Sequence, residues 1–226
     1  MLNLNQREIK LKRVIFILAD ASLELAPEWI IKGLKVKRRI LDVFWFKDKI
    51  LKMPDNEKRG RPDIVHRALL LLQDSLLNKR GYLRVYIHTI NGDIIEVLPK
   101  TRPPRHYLRF LGLIEQLLIK RKVPPQGEPL MRIINVRLRD IINKYNSCIV
   151  IGFSRRGKRV NLLEYLLDIV SMYENVVNIV GAFPKGFFSS DVTDVIDELI
   201  SISEESLSAP YVVSKIISAY EFILQL

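Results

Sequence analysis

Arg59-Gly60-Arg61-Pro62-Asp63 places two guanidiniums beside a proline suited to the first turn of a helix. A helix amino terminus favours anions and arginine offers paired N–H donors, so this stretch reads as a phosphate grip. Asp63 has two readings: a brace that holds an arginine, or a carboxylate that takes a proton from a substrate. His66, one turn on, reads first as a packing or hydrogen-bonding residue and second as a base. Arg105 and Arg109 stand four apart on a helix that Pro103 and Pro104 are expected to open, with Arg102 just upstream. Three guanidiniums on one face can track a phosphate backbone while Tyr107 or Tyr82 stacks on a base. The competing reading is a surface helix paired with acidic neighbours, for which only Glu115 is near in sequence.

Two turns in the last third offer a different chemistry. Gly181-Ala182-Phe183-Pro184-Lys185-Gly186 follows an apolar run, and Ser203–Ala209 follows another. In parallel sheets ligands sit beyond the carboxyl ends of strands, and glycine lets backbone approach a ligand closely. A nucleotide-like cofactor fits such a place, although glycines after strands also serve as ordinary turns. Ser189, Ser190, Ser203, Ser206 and Ser208 lack nucleophile-elbow spacing, so hydrolase chemistry finds no support. No Gly-x-Gly-x-x-Gly follows the first strand, which argues against a dinucleotide enzyme. Three scattered histidines and the single Cys148 offer neither a metal cluster nor an internal disulfide.

The elements that must position these residues follow from periodicity. Val14–Ala19 and Cys148–Phe153 are apolar runs of buried-strand length, as are Val176–Phe183 and Leu199–Ser203. Helices are predicted over Glu24–Arg39, from Pro62 through Leu76 to a stop at Gly81, from Pro103 to before Pro124–Pro129, over Leu162–Tyr173 and from Ala209 to Leu224. Lys52–Arg61 reads as a loop. Asn91-Gly92 between Leu83–Ile90 and Ile94–Leu98 predicts a hairpin with a type I′ turn. The alternation in the last third is that of a parallel sheet covered by helices.

The 226 residues carry a net charge of +11, divided as +19 over residues 1–160 and −8 over residues 161–226. Such a basic half attracts polyanions and gains affinity by counterion release, so nucleic acid leads as partner. A solvated basic face or an anionic membrane patch are the alternatives. No apolar run reaches spanning length, and Met1–Lys12 lacks the apolar centre of a secretory signal, so a cytoplasmic protein without membrane attachment is expected.

Several ordered motifs together resemble a known family. Arg61-Pro62-Asp63-Ile64-Val65-His66, Leu70-Leu71-Leu72-Gln73-Asp74-Ser75 with Asn78-Lys79, Leu83-Arg84-Val85-Tyr86-Ile87-His88-Thr89, and Arg102-Pro103-Pro104-Arg105 to Arg109-Phe110 carry the likeness. Val180-Gly181-Ala182-Phe183 with Gly186, and Ile202-Ser203 through Leu207-Ser208-Ala209, extend it. They resemble the ribosome-biogenesis family of Nep/Emg type, which methylates N1 of a pseudouridine in small-subunit rRNA. The resemblance implies an α/β fold of SPOUT type: a parallel sheet flanked by helices, a carboxyl-terminal trefoil knot, and an inserted β-hairpin with helices. It implies one domain over residues 1–226, with an RNA-binding portion inserted around 52–130 and a cofactor-binding knot around 148–226.

S-adenosyl-L-methionine is then the cofactor, a homodimer the working form, and small-subunit rRNA the partner, with ribosome assembly proteins as further candidates. By position, Arg61, Arg102, Arg105 and Arg109 are implied on the RNA side, and Arg59 joins them from the phosphate grip read above. Asp63 and Arg61 are the candidates at the reacting centre, Asp63 as brace or base. Ile151, Gly152, Phe153, Gly181, Gly186, Ile202, Ser203, Glu204, Glu205, Ser206 and Leu207 are implied at the cofactor. Arg67 and Gln73 depart from the family's usual residues, and Phe187-Phe188 follow Gly186 unusually. The rival from another class is a non-catalytic assembly factor that holds rRNA with the same arginines.

Overall fold

The computed structural model describes residues 8–32 and 39–226. Its centre is an eight-stranded sheet of β1 (Arg13–Ala21), β2 (Leu83–Thr89), β3 (Ile94–Val97), β4 (Lys122–Val123), β5 (Met131–Ile134), β6 (Cys148–Arg159), β7 (Asn175–Gly181) and β8 (Glu198–Ser201). The spatial order is β4-β5-β3-β2-β1-β7-β6-β8. The five strands from β2 to β8 in that order are mutually parallel. The expected parallel sheet is therefore only part of the whole, because β3 pairs antiparallel with β2, β5 with β3 and β4 with β5.

Eight of nine residues of β1 are buried because the sheet is covered on both faces. Val14, Phe16 and Leu18 enter a core shared with helices α3 (Pro62–Asp74), α5 (Tyr107–Lys120), α7 (Leu162–Met172) and α9 (Ala209–Ile223). Ile15, Ile17 and Ala19 face the other way, against α6 (Leu138–Ile142), Phe188 and Val192 of α8 (Ser190–Thr193). Because β2 pairs directly with β1, the stretch 52–130 shares this sheet and core with the rest of the chain.

Several local expectations need correction. Of the helix expected over Glu24–Arg39, only α1 (Glu28–Ile31) is formed; Leu25 and Ile40 instead make a β-bridge, and residues 33–38 lie outside the described residues. A helix that periodicity did not suggest, α2 (Val43–Ile50), is capped by Asp42, whose carboxylate accepts from the Phe44 amide at 2.8 Å. The run from Pro62 to Gly81 is two helices. Ser75 turns extended with ψ 155° and caps α4 (Leu76–Lys79) through its hydroxyl. The hairpin turn has three residues rather than the two of type I′. Thr89 accepts from Gly92 N and donates to Asp93 O, and in this turn only Gly92 takes positive φ, at 84°. That is a type I turn closed by a left-handed glycine.

The helix expected from Pro103 begins later, at Tyr107, with His106 capping it by its backbone carbonyl. A residue before proline is pushed toward extended backbone, which keeps Pro103 out of a helix. Arg105 accordingly precedes the helix instead of sharing a helical face with Arg109.

Candidate active site

At the carboxyl ends of β7, β6 and β8 the chain leaves the sheet in three neighbouring turns, and a cleft of about 690 Å³ opens between them. Its walls include Phe153, Val180, Ile202, Leu207 and Val212, with Ser203, Glu205 and Ser206 at its polar side. Gly181 and Gly186 both line it. A Cβ on Gly181 would fall 2.7 Å from the Phe183 ring, so only glycine lets that ring close over the turn. Gly186 has φ 105°, a left-handed conformation open to glycine, and sits against Glu57.

The turn is pinned at its far end by Asp20, the penultimate residue of β1. Its carboxylate accepts from the Ser189 amide at 2.6 Å and the Ser189 hydroxyl at 2.7 Å. Lys58 Nζ reaches it at 3.2 Å, and Nδ1 of His88 lies 3.5 Å away. Burial alone pushes this carboxyl up, but hydrogen bonds from His88 and Ser189 and the charge of Lys58 outweigh it and hold the pKa at about 2. Lys58 also lies 4.9 Å over the Phe183 ring. One buried charge thus joins β1, the glycine turn and the 3-10 turn at Asn56–Lys58.

The same cleft receives Arg61 from the start of α3. Nε and Nη2 of Arg61 donate to the two Asp63 oxygens at 2.7 and 2.9 Å, a bidentate clamp. Arg67 Nη2 donates to the same carboxylate at 2.7 Å, and Arg67 also lines the cleft. Burial raises the Asp63 carboxyl, but the two guanidiniums overcome this and hold it below the usual carboxylate range. Asp63 in turn keeps Arg61 more firmly protonated. An ionised carboxylate with both oxygens occupied has the geometry of a brace. The departure at Arg67 adds a second guanidinium to this brace, and its signal in the sequence was the four-residue spacing from Asp63.

The remaining arginines fall into two groups. Arg59 turns inward, paired with the buried Glu24 carboxylate and donating to the Pro54 carbonyl, so it is not presented to the cleft. Arg102, Arg105 and Arg109 are exposed and lie outside the cleft lining. Asp74, paired with Lys79, also feels the charges of Arg105 and Arg102, and it sits at the opposite end of α3 from Arg61, about 20 Å along the helix. Their segment is fastened to α3 by His66, which donates from Nε2 to the Pro104 carbonyl at 2.7 Å and stacks on Phe110 at 4.4 Å. Tyr107 donates its hydroxyl to Asp42, anchoring the same segment to the start of α2.

Among the expected cofactor residues, Phe153, Gly181, Gly186, Ile202, Ser203, Glu205, Ser206 and Leu207 come together in the cleft. Ile151 is fully buried within the sheet, Gly152 faces Ile196 and Leu199, and Glu204 lies outside the lining. Sequence reasoning missed Arg155 and Arg156, which line the cleft from the far end of β6. The arrangement can seat a flat ligand between apolar walls and backbone turns, with guanidiniums ready for an anionic partner in the same opening.

The chain resembles known proteins along most of its length. A family model described as EMG1/NEP1 methyltransferase matches residues 16–221. The chain is 42% identical over 226 residues to the ribosomal RNA small subunit methyltransferase Nep1 of Methanothrix thermoacetophila, covering 92% of this chain and 95% of that protein. It is 38% identical over 222 residues to the protein of the same name from Pyrococcus furiosus, covering 93% and 97%. The crystal structure of Archaeoglobus fulgidus Nep1 bound to S-adenosylhomocysteine matches with a TM-score of 0.80 at 34% identity, covering 95% of this chain and 99% of that one.

Proposed function

Because the chain belongs to the EMG1/NEP1 methyltransferase family, we propose that it methylates small-subunit ribosomal RNA with S-adenosylmethionine, at N1 of a pseudouridine. The observation that carries this reading is the single cleft shared by the braced Arg61 and the glycine turn. The cofactor fits the residues present. Apolar Ile202 and Leu207 suit a purine, and the Gly181 and Gly186 turns leave backbone close to a ligand. When bound, it supplies a sulfonium methyl that is already electrophilic.

The protein's own contribution is positioning. Asp63 fixes Arg61 in one orientation, so that its guanidinium meets the flipped base without reorganising. The nearby positive charge favours loss of the N1 proton to water and steadies the uracil anion that forms. With the cofactor bound, the freed nitrogen would receive its methyl group, and the chain's part is to hold that nitrogen in line. Arg102 and Arg105 ahead of α5, and Arg109 in its first turn, hold the flanking phosphates.

Within this reading the RNA-binding portion around 52–130 and the cofactor-binding portion around 148–226 are two halves of one SPOUT-type domain, the latter threaded as a trefoil knot. The working form is a homodimer, supported by the exposed apolar side chains of Met172, Tyr211 and Phe222 on α7 and α9. Ribosome assembly proteins are its further partners. The setting is the cytoplasm, in keeping with one unpaired cysteine; among the described residues no helix is long and apolar enough to cross a membrane.

Incubation with methyl-labelled cofactor and matched RNA hairpins carrying pseudouridine or uridine, followed by nucleoside analysis, tests this. Label confined to N1 of pseudouridine is expected. Label on uridine, or at another atom, would refute the acceptor. RNA binding without any transfer, and without cofactor binding at millimolar ligand, would leave a non-catalytic assembly factor.

A further inference from the structure

Strand β6 does not run straight through its pairing with β8. Phe153 and Lys158 both stand opposite Ile200, so Ser154, Arg155, Arg156 and Gly157 leave the ladder and return to the same partner. A Cβ on Gly157 would fall 2.5 Å from the Ile200 backbone, so the excursion is pressed tightly onto β8 at its return. Arg155 and Arg156 both line the cleft and both are exposed. Neither forms a salt bridge among the described residues, in contrast to Arg59, Arg61 and Arg67. The Arg156 guanidinium lies 4.7 Å over the Phe187 ring, which orients it from the neighbouring glycine turn. Lys158 and Arg159 continue the positive run, and they too are exposed.

We propose that Arg155 and Arg156 hold a phosphate of the RNA strand that carries the acceptor base, an inference that rests on the cleft being an RNA methylation site. The competing anion is the carboxylate of the cofactor's methionyl group. One carboxylate is satisfied by one guanidinium, whereas four exposed cations within five residues, beginning in the cleft and continuing along the strand, match a polyanion. The two arginines would approach the strand from β6, while Arg61 and Arg67 approach it from α3, so the base enters between two cationic walls.

The test measures affinity for a pseudouridine-bearing RNA hairpin between about 50 and 200 mM salt, and affinity for S-adenosylhomocysteine by calorimetry. Wild type is compared with Arg155→Gln, which leaves the Arg156–Phe187 contact in place, and with the double variant Arg155→Gln/Arg156→Gln. The salt dependence of RNA binding is expected to fall by about 0.7 in log–log slope for each single-stranded phosphate contact removed, with S-adenosylhomocysteine affinity unchanged. An unchanged slope in both variants overturns the inference. Weakened S-adenosylhomocysteine binding at constant RNA slope also overturns it, and reassigns the pair to the cofactor carboxylate. Failure of wild type to bind the hairpin at low salt would instead remove the reading on which the inference rests.

Discussion

Nε2 of His66 lies 2.7 Å from the carbonyl oxygen of Pro104, and this one hydrogen bond couples the two arginine groups. A carbonyl only accepts, so the proton of the neutral ring sits on Nε2. The bond fastens the segment bearing Arg102 and Arg105 to the helix whose first turn bears Asp63.

Replacing His66 with Ala removes the bond and the stack on Phe110, at a cost of about 2 kcal/mol in urea denaturation. Burial, partly offset by the Pro104 carbonyl, depresses the folded-state pKa of this ring. Its contribution to stability is therefore complete above the ordinary value of 6.5 and declines as pH falls below it toward the folded value. The wild type should lose stability over that interval by an increment that His66→Ala does not show.

Asp63→Asn leaves Arg61 and Arg67 without a shared anion and lets Arg61 swing. A fall of roughly tenfold to a hundredfold in kcat/KM is expected, with stability changed by only about 1 kcal/mol because the pair is partly exposed. With Asp63 as a brace, the acid limb of the pH–rate profile should keep its position. A profile that loses that limb in Asp63→Asn would identify Asp63 as the base after all.

Asp20→Asn should weaken the hold on Ser189 and cost about 2 kcal/mol at neutral pH. The carboxyl is depressed from 3.8 to about 2, so its stabilisation is present above 3.8 and is lost as pH falls through about 2. Denaturation midpoints of wild type and variant should therefore converge only in strong acid. Convergence already near pH 5 would contradict the depressed pKa.

Gly181→Ala brings a methyl to within 2.7 Å of the Phe183 ring and forces that ring to move. S-adenosylhomocysteine affinity should drop about tenfold by calorimetry, from roughly 1.4 kcal/mol of lost fit, while hairpin RNA binding stays at the wild-type level. Equal loss of both affinities would mean that the cofactor and RNA regions of the cleft do not respond separately.

Much of the architecture could be read from the chain because the central strands are buried on both faces. Val14–Ala19 is an unbroken apolar run for that reason, Val176–Val180 is interrupted only by Asn178, and α9 declares itself by its stripe and its proline start. Two short elements escaped for reasons of their own: Met131-Arg132-Ile133-Ile134 is too short to show a period, and α2 mixes Phe44, Trp45 and Phe46 with lysines. The glycine turns of the site were legible because chain conformation dictates residue type there. Arg59 was misread because its partner Glu24 lies 35 residues away, a pairing that exists only after folding. Arg155 and Arg156 were overlooked for a related reason, since a basic run beyond a strand gives no hint that the strand detours into a cleft.

That detour leaves and rejoins the ladder opposite one and the same residue, Ile200, so it absorbs a shift in the register of β6 while β8 runs on unbroken. Arg155 and Arg156 stand exposed in its middle and can be exchanged without disturbing the core, whereas Gly157 at its return has no room for a side chain. The framework thereby separates what evolution must preserve from what it is free to edit, and new preferences for the sequence flanking the target can arise there at little cost to folding.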